Sequence, residues 1–235
     1  MPITTIAPPA GPTDLSTGER RLAIFDLDRT LLPGSSLAYL GRALVRTRVL
    51  RPRQLCGFAV RELLFRRRGL SHAGADRLRE RLLTMVAGVE RSLLIPVVEE
   101  AGSAVAGLVP PAALRLVRQH RELGDYCVVL SSSPQELVER VAAELGVQHG
   151  VGTRAEVVDG RFTGRLDGPF CHSDGKLARL RDELGVVDLS RTWAYSDAGS
   201  DLPLLSACAY PVAVNPDRRL RSAAKAAGWP IIELH

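Results

Sequence analysis

Four apolar residues, Leu22-Ala23-Ile24-Phe25, run without a polar break into Asp26-Leu27-Asp28-Arg29-Thr30-Leu31-Leu32. A strand with one wet face alternates apolar and polar residues, whereas a run apolar on both faces must be covered on both. The stretch 22–32 therefore reads as a first strand inside a sheet that carries helices on each side. Asp26 then stands at the carboxyl end of the apolar run, where open α/β sheets place their ligands. An ionised carboxylate there is costly unless a cation or hydrogen-bond donors compensate it. Asp26 and Asp28 can face one mouth if the chain loops just after the strand, and that pairing suits a hard metal ion with oxygen ligands. Aspartate is also common at plain strand ends and turns, so the pattern needs partners elsewhere in the chain.

The rest of the chain sorts into two kinds of pattern. Pro33-Gly34-Ser35-Ser36 breaks the first strand. From Leu37 to about Gly107 only helical spacing appears. Its apolar stripes are Leu37, Leu40, Leu44 and Val45, then Leu55, Phe58, Ala59, Leu63 and Leu64, then Leu78, Leu82, Leu83 and Val86, then Leu93, Leu94, Val97 and Val98. Roughly four helices without a strand make an inserted helical subdomain over 36–107. From Pro110 onward strands and helices alternate. The strands are Tyr126–Leu130, Thr192–Ser196, Pro211–Val214 and a short one near Ile231-Ile232. Helices are expected near 114–123, 135–145, 175–184, 201–207 and 217–227, and residues 149–168 read as a short strand plus a hairpin, over 153–166, that turns at Asp159-Gly160. This alternation predicts an α/β fold with a Rossmann-like parallel sheet and helices on both faces. The expected organisation is a tail at 1–20, a core of 21–35 and 108–235, and the helical insert between them.

Polar groups stand at matching places in that scheme. Ser131 and Ser132 follow the second strand, Lys176 opens a helix after the hairpin, and Asp197 and Asp201 follow a later strand. If the strands are parallel neighbours, these groups and Asp26/Asp28 converge on one sheet edge. Carboxylates there would bind Mg²⁺, a hydroxyl and a lysine would hold phosphoryl oxygens, and one carboxylate could attack phosphorus. A second carboxyl could protonate the leaving oxygen and then activate water. Each residue also has an ordinary role: Ser131 or Asp197 as a helix N-cap, Lys176 as a solvated helix residue, Asp201 as an i+4 neighbour.

The order Asp26-Leu27-Asp28-Arg29-Thr30, Ser131, Lys176, Asp197…Asp201 resembles the four signature motifs of the haloacid dehalogenase superfamily. The resemblance runs from about Leu22 to Val214 and is to the phosphoserine-phosphatase-like branch, subfamily IB. The helical insert resembles its type-1 cap. It implies Asp26 as nucleophile and Asp28 as general acid/base, with Ser131, Ser132, Lys176 and Thr30 binding phosphate. It also implies that Asp26, Asp28, Asp197 and Asp201 hold Mg²⁺, Asp28 through its backbone carbonyl and Asp201 from behind the direct ligands. The implied reaction is phosphomonoester hydrolysis on a small phosphorylated metabolite. Phosphoserine phosphatases of the family carry a glutamate shortly after the first motif, and this chain has Pro33-Gly34-Ser35-Ser36 there, which argues against phosphoserine.

Charge and cysteine use bear on partners. The net charge is +5, and between Arg42 and Arg68 arginines crowd the chain with Glu62 as the only acid. Such a cluster suits an anionic substrate or a lipid surface, and equally a solvated face. No nucleic-acid motif or aromatic platform accompanies it, which argues against a nucleic-acid partner. Two other readings stay open: a phosphatase of lysophospholipid-type amphiphilic phosphates in peripheral contact with a membrane, and a regulatory protein that binds phosphate without turnover. No apolar run approaches the ~18 residues of a membrane span. The first twenty residues lack a signal-peptide core. Cys56, Cys127, Cys171 and Cys208 lack metal-site spacing and read as reduced buried thiols. The expected location is cytoplasmic.

Overall fold

The computed structural model describes residues 21–48 and 72–234. The expected tail at 1–20, the stripe from Leu55 to Leu64 and the arginines from Arg51 to Arg68 lie outside the described residues.

The chain builds a six-stranded sheet in the order β3-β2-β1-β6-β7-β8, every pair parallel. Its strands are β1 (Leu22–Phe25), β2 (Tyr126–Pro134), β3 (His149–Thr153), β6 (Thr192–Ser196), β7 (Tyr210–Val214) and β8 (Ile231–Ile232). β1 lies in the middle, paired Phe25 to Val129 on one side and Phe25 to Tyr195 on the other. That placement answers its unbroken apolar run: Ala23, Ile24 and Phe25 are fully buried. Phe25 and Val129 pack on one face with Leu137, Val141 and Val212. Ile24, Val128 and Leu130 pack on the other with Leu180, Leu205 and Leu220. Each such side chain contributes roughly 1.5–3 kcal/mol of burial, an upper figure for a denatured state that is itself compact.

Helices α4 (Pro111–Glu122), α5 (Gln135–Glu144), α6 (Asp174–Leu184), α7 (Leu202–Ala207) and α8 (Arg218–Ala227) connect the strands. Proline starts α4, where the missing N–H costs nothing, and Gly228 in the left-handed region ends α8. Before them come α1 (Ser36–Arg46), α2 (His72–Val86) and α3 (Arg91–Ala106), and no strand is assigned between Leu37 and Gly107 among the described residues. The hairpin β4 (Ala155–Val158) and β5 (Arg161–Leu166) docks on the α2–α3 junction. Gly88 N donates to Phe162 O at 2.7 Å, Phe162 N to Val89 O at 3.0 Å, and Arg161 pairs with Glu90.

Two expected boundaries move. The first strand ends at Phe25 rather than running through Leu32. Asp26 N makes a last ladder bond to Tyr195 O, and the amides of Leu31 and Leu32 then fold back onto Leu27 O. β2 continues past Leu130 to Pro134, so α5 starts without a serine cap. Cys127, Cys171 and Cys208 are buried free thiols, and burial pushes each up to about 12. No single described helix is long and apolar enough to cross a membrane.

Candidate active site

Parallel pairing of β2, β1 and β6 puts the residues that follow these strands at one sheet edge. Asp26 leaves β1, Ser131 stands near the carboxyl end of β2, and Asp197 follows β6. Lys176, the third residue of α6, comes to them from beyond the hairpin. Its Nζ lies 2.6 Å from Asp26 Oδ1 and 2.6 Å from Asp201 Oδ2. Ser196 donates its hydroxyl to the same Asp201 oxygen at 2.6 Å. Thr30 donates to Asp26 Oδ2 at 3.2 Å, with Asp197 Oδ1 at 3.5 Å. Every one of these side chains is buried.

Lys176 is brought there by a strained approach. Ser173 takes a left-handed φ of 52° just before α6, and Gly175 passes so near Phe170 that a Cβ would stand 1.9 Å from its carbonyl oxygen. Glycine is required where backbone meets backbone this closely. On the far side, Asp217 caps α8 at Leu220 N, accepts from Gly199 N at 2.9 Å and donates its own amide to Asp197 O at 2.8 Å. The loop carrying Asp197 and Asp201 is thereby tied to a helix terminus.

The electrostatics are those of excess buried negative charge. Burial raises the Asp26 carboxyl above its usual range, Lys176 pulls it back and Asp201 pushes it up again. Asp197 is raised further, first by burial and then by Asp26, with Arg29 as a weak counterweight: Arg29 Nε is 3.5 Å away and its side chain is half exposed. Lys176 goes the other way: burial alone would lower it, but Asp201 and Asp26 together outweigh that and raise it. One lysine thus serves two carboxylates, and Asp197 faces the half-exposed Arg29 at 3.5 Å. Oxygen donors with uncompensated charge fit a hard divalent cation. Among the described residues no three His, Cys, Asp or Glu side chains form a ready cage. Asp26 and Asp197 would hold such an ion with main-chain oxygen.

The remaining expected residues stand around this centre. Asp28 Oδ1 accepts from Ser36 N at 2.8 Å. Ser131 Oγ accepts from Ser133 N at 3.2 Å instead of capping α5. Ser132 offers its carbonyl to Thr153 Oγ1 at 2.8 Å. The hydroxyl of Thr30 is turned to the carboxylates, so in this structure it holds Asp26. Asp201 occupies the N-cap position of α7 without a side-chain cap bond, its Oδ2 being taken by Lys176 and Ser196. Ser36, Ser133, Ser196 and Asp217 were not among the expected site residues. A faint signal existed for two: Ser196 directly precedes Asp197, and Asn215-Pro216-Asp217 opens a helix.

A model of the haloacid dehalogenase-like hydrolase family matches residues 23–206. A Mycobacterium tuberculosis protein named "Probable phosphatase Rv3661" is 34% identical over 229 residues, covering 96% of this chain and 79% of that protein. Phosphoserine phosphatase SerB1 of the same organism is 34% identical over 225 residues, covering 94% and 71%. A solved Bordetella pertussis Tohama I protein of unknown function superposes with TM-score 0.77 at 32% identity, covering 92% of this chain and all of that one.

Proposed function

The chain belongs to the haloacid dehalogenase-like hydrolases and is a phosphatase, and on that premise we propose that it hydrolyses a small phosphomonoester in a Mg²⁺-dependent reaction through an aspartyl phosphate on Asp26. The observation that supports this most is the buried Asp26–Lys176–Asp201 arrangement, with both lysine contacts at 2.6 Å. It offers one carboxylate held in a single orientation beside a cation that can meet phosphoryl oxygens.

In this reading Lys176 restrains Asp26 and, with Ser131 and Ser132, binds the phosphoryl oxygens. An Asp26 oxygen attacks phosphorus, the P–O bond to the alcohol breaks, and Asp28 gives its proton to the leaving oxygen. Asp28, now a carboxylate, takes a proton from water as the water oxygen attacks phosphorus. The P–O bond to Asp26 then breaks, which releases inorganic phosphate and restores both carboxyl groups. Asp26, Asp197 and the backbone carbonyl of Asp28 would hold Mg²⁺, with Asp201 behind them, and the ion when bound neutralises phosphoryl charge. The buried free thiols fit the cytoplasm as the place of action.

A substrate other than phosphoserine is favoured, because 33–36 offers serines and no carboxylate for a substrate ammonium. Phosphoserine is the second reading, since relatives such as SerB1 and SerB2 of Mycobacterium tuberculosis are named phosphoserine phosphatases. Phosphate release should be measured on phosphoserine, phosphocholine, sugar and polyol phosphates, nucleotides and lysophosphatidate, with and without Mg²⁺. The expected result is Mg²⁺-dependent turnover that drops by about 10³-fold or more in Asp26→Asn. Turnover that survives Asp26→Asn, or none on any ester, overturns the reading. A best rate on phosphoserine decides for the second one.

A further inference from the structure

The first N–H of a helix has no partner within the helix. In α1 that N–H belongs to Ser36, and it donates to Asp28 Oδ1 at 2.8 Å. Ser35, at the N-cap position, makes no side-chain cap bond, so Asp28 serves the helix end from outside. Ser36 is fully buried, and its Oγ lies 2.6 Å from Oγ of Ser133, which is also fully buried. Ser133 in turn donates its amide to Ser131 Oγ at 3.2 Å. A continuous hydrogen-bonded chain therefore runs Asp28–Ser36–Ser133–Ser131. It joins the loop after β1 to the end of β2 through the first residue of the first inserted helix.

We propose that Ser36 and Ser133 are positioning residues: their hydroxyl pair fixes the start of α1 on the end of β2, so that the Ser36 amide holds Asp28 aimed at the leaving oxygen. The inference rests on the phosphatase reading above and adds to it how the proton donor is kept in place. Asp26 has Lys176 and Thr30 to orient it. Asp28 lies further out, on a loop, and proton transfer requires its carboxyl within hydrogen-bond reach of the leaving oxygen. Both serine side chains are fully buried, and the Ser36 amide is their contact to Asp28.

Ser36→Pro removes both the amide donor and the hydroxyl, and comparison with Ser36→Ala, which removes the hydroxyl alone, isolates the amide. Proline suits the first helical position, where its N–H is not needed by the helix. The extended backbone of Ser35, φ −110° and ψ 120°, accepts a following proline. Ser36→Ala and Ser133→Ala each remove only the shared hydroxyl bond. Values of kcat/KM, which report phosphoryl transfer to Asp26 and not the later hydrolysis in which Asp28 acts as base, should be compared on para-nitrophenyl phosphate, whose leaving oxygen needs little help from an acid, and on an alkyl ester such as glycerol phosphate. Thermal melts followed by circular dichroism report folding. In folded Ser36→Pro, kcat/KM on the alkyl ester should fall about 10²-fold, the low end for a lost general acid. On the aryl ester it should change by no more than about threefold, since that leaving group makes little use of the acid. Each alanine variant should lose about five- to tenfold on the alkyl ester, and the double variant no more than either single, because both delete one bond.

Equal losses on both esters, no loss on either, or additive alanine effects overturn the inference. If Ser36→Pro does not fold, the alanine cycle decides alone. A wild type inactive on every ester overturns the phosphatase reading along with it, whereas an active wild type with indifferent variants overturns this inference only.

Discussion

Lys176 is 3% exposed and carries its charge between two buried carboxylates, each 2.6 Å from its Nζ. Removing one partner of a buried ion pair leaves charge without compensation, which costs about 3–5 kcal/mol. Lys176→Met is therefore expected to lose activity and roughly that much stability in urea titrations at pH 7. The defect should shrink as pH falls into the carboxylate range, because protonation of Asp26, already raised in the native protein, removes the repulsion. A loss below about 1 kcal/mol, the size of an exposed pair, would contradict this account of the site. Lys176 was legible because no other lysine precedes Lys225. Ser36 and Ser133 were not, since serine is ordinary in a polar loop and their pairing spans 97 residues of chain.

At the scale of elements, the start of α6 matters more than its length. The helix delivers Lys176 only because Gly175 slides past the Phe170 carbonyl, where an added Cβ would stand 1.9 Å from the oxygen. Gly175→Ala must shift backbone against backbone, and overpacking of that kind costs about 1–3 kcal/mol. The expected outcome is a lower Tm together with a lower kcat, as Lys176 moves off Asp26. Gly107→Ala is the control: Gly107 has φ −64° and the nearest atom to its Cβ would be 3.5 Å away. It should be neutral or stabilise by up to about 1 kcal/mol with kcat unchanged. If both variants behave alike, the close approach at Gly175 is not what places the lysine. The helices and strands themselves were readable from periodicity, whereas the fold-back after Phe25 was not. Leu27, Leu31 and Leu32 extend the apolar run, and only the amide bonds to Leu27 O show that the chain has turned.

For the whole molecule, the surplus of buried carboxylate predicts linkage between cation binding and stability. Ionised Asp26 is disfavoured by burial and by Asp201, and ionised Asp197 by burial and then by Asp26. A cation that binds only the folded chain at 100 times its Kd adds about 2.7 kcal/mol, or roughly 5–10 °C in Tm for a protein of this size. The Mg²⁺-induced rise should grow as pH climbs above the raised carboxyl range and disappear in acid, where protons compete for the same oxygens. Asp197→Asn should abolish the rise and stabilise the metal-free protein by on the order of 1 kcal/mol, since it removes the charge that burial penalises. Differential scanning calorimetry with and without Mg²⁺ checks both. A rise that persists in Asp197→Asn would place the cation elsewhere.

What the sequence by itself determined is the layered architecture, and it supplied the candidates for the site. An apolar run with no polar face, in a chain that alternates strands and helices, reads as a covered strand, so Leu22–Phe25 implied a parallel sheet with helices on both sides, and Asp26, Asp28, Ser131, Lys176, Asp197 and Asp201 became candidates from their places after strands or at the start of a helix, with roles supplied by the family resemblance. Such signals are local: they depend on which residues neighbour each other along the chain. Only the tertiary structure decided how these groups are used. It turned the Thr30 hydroxyl to Asp26, gave one oxygen of Asp201 to both Lys176 and Ser196, and joined Asp28 to Ser131 through two serines. Those assignments depend on distances of a few ångströms between residues far apart in the chain. They are set by strand order and helix packing, which no spacing along the sequence encodes.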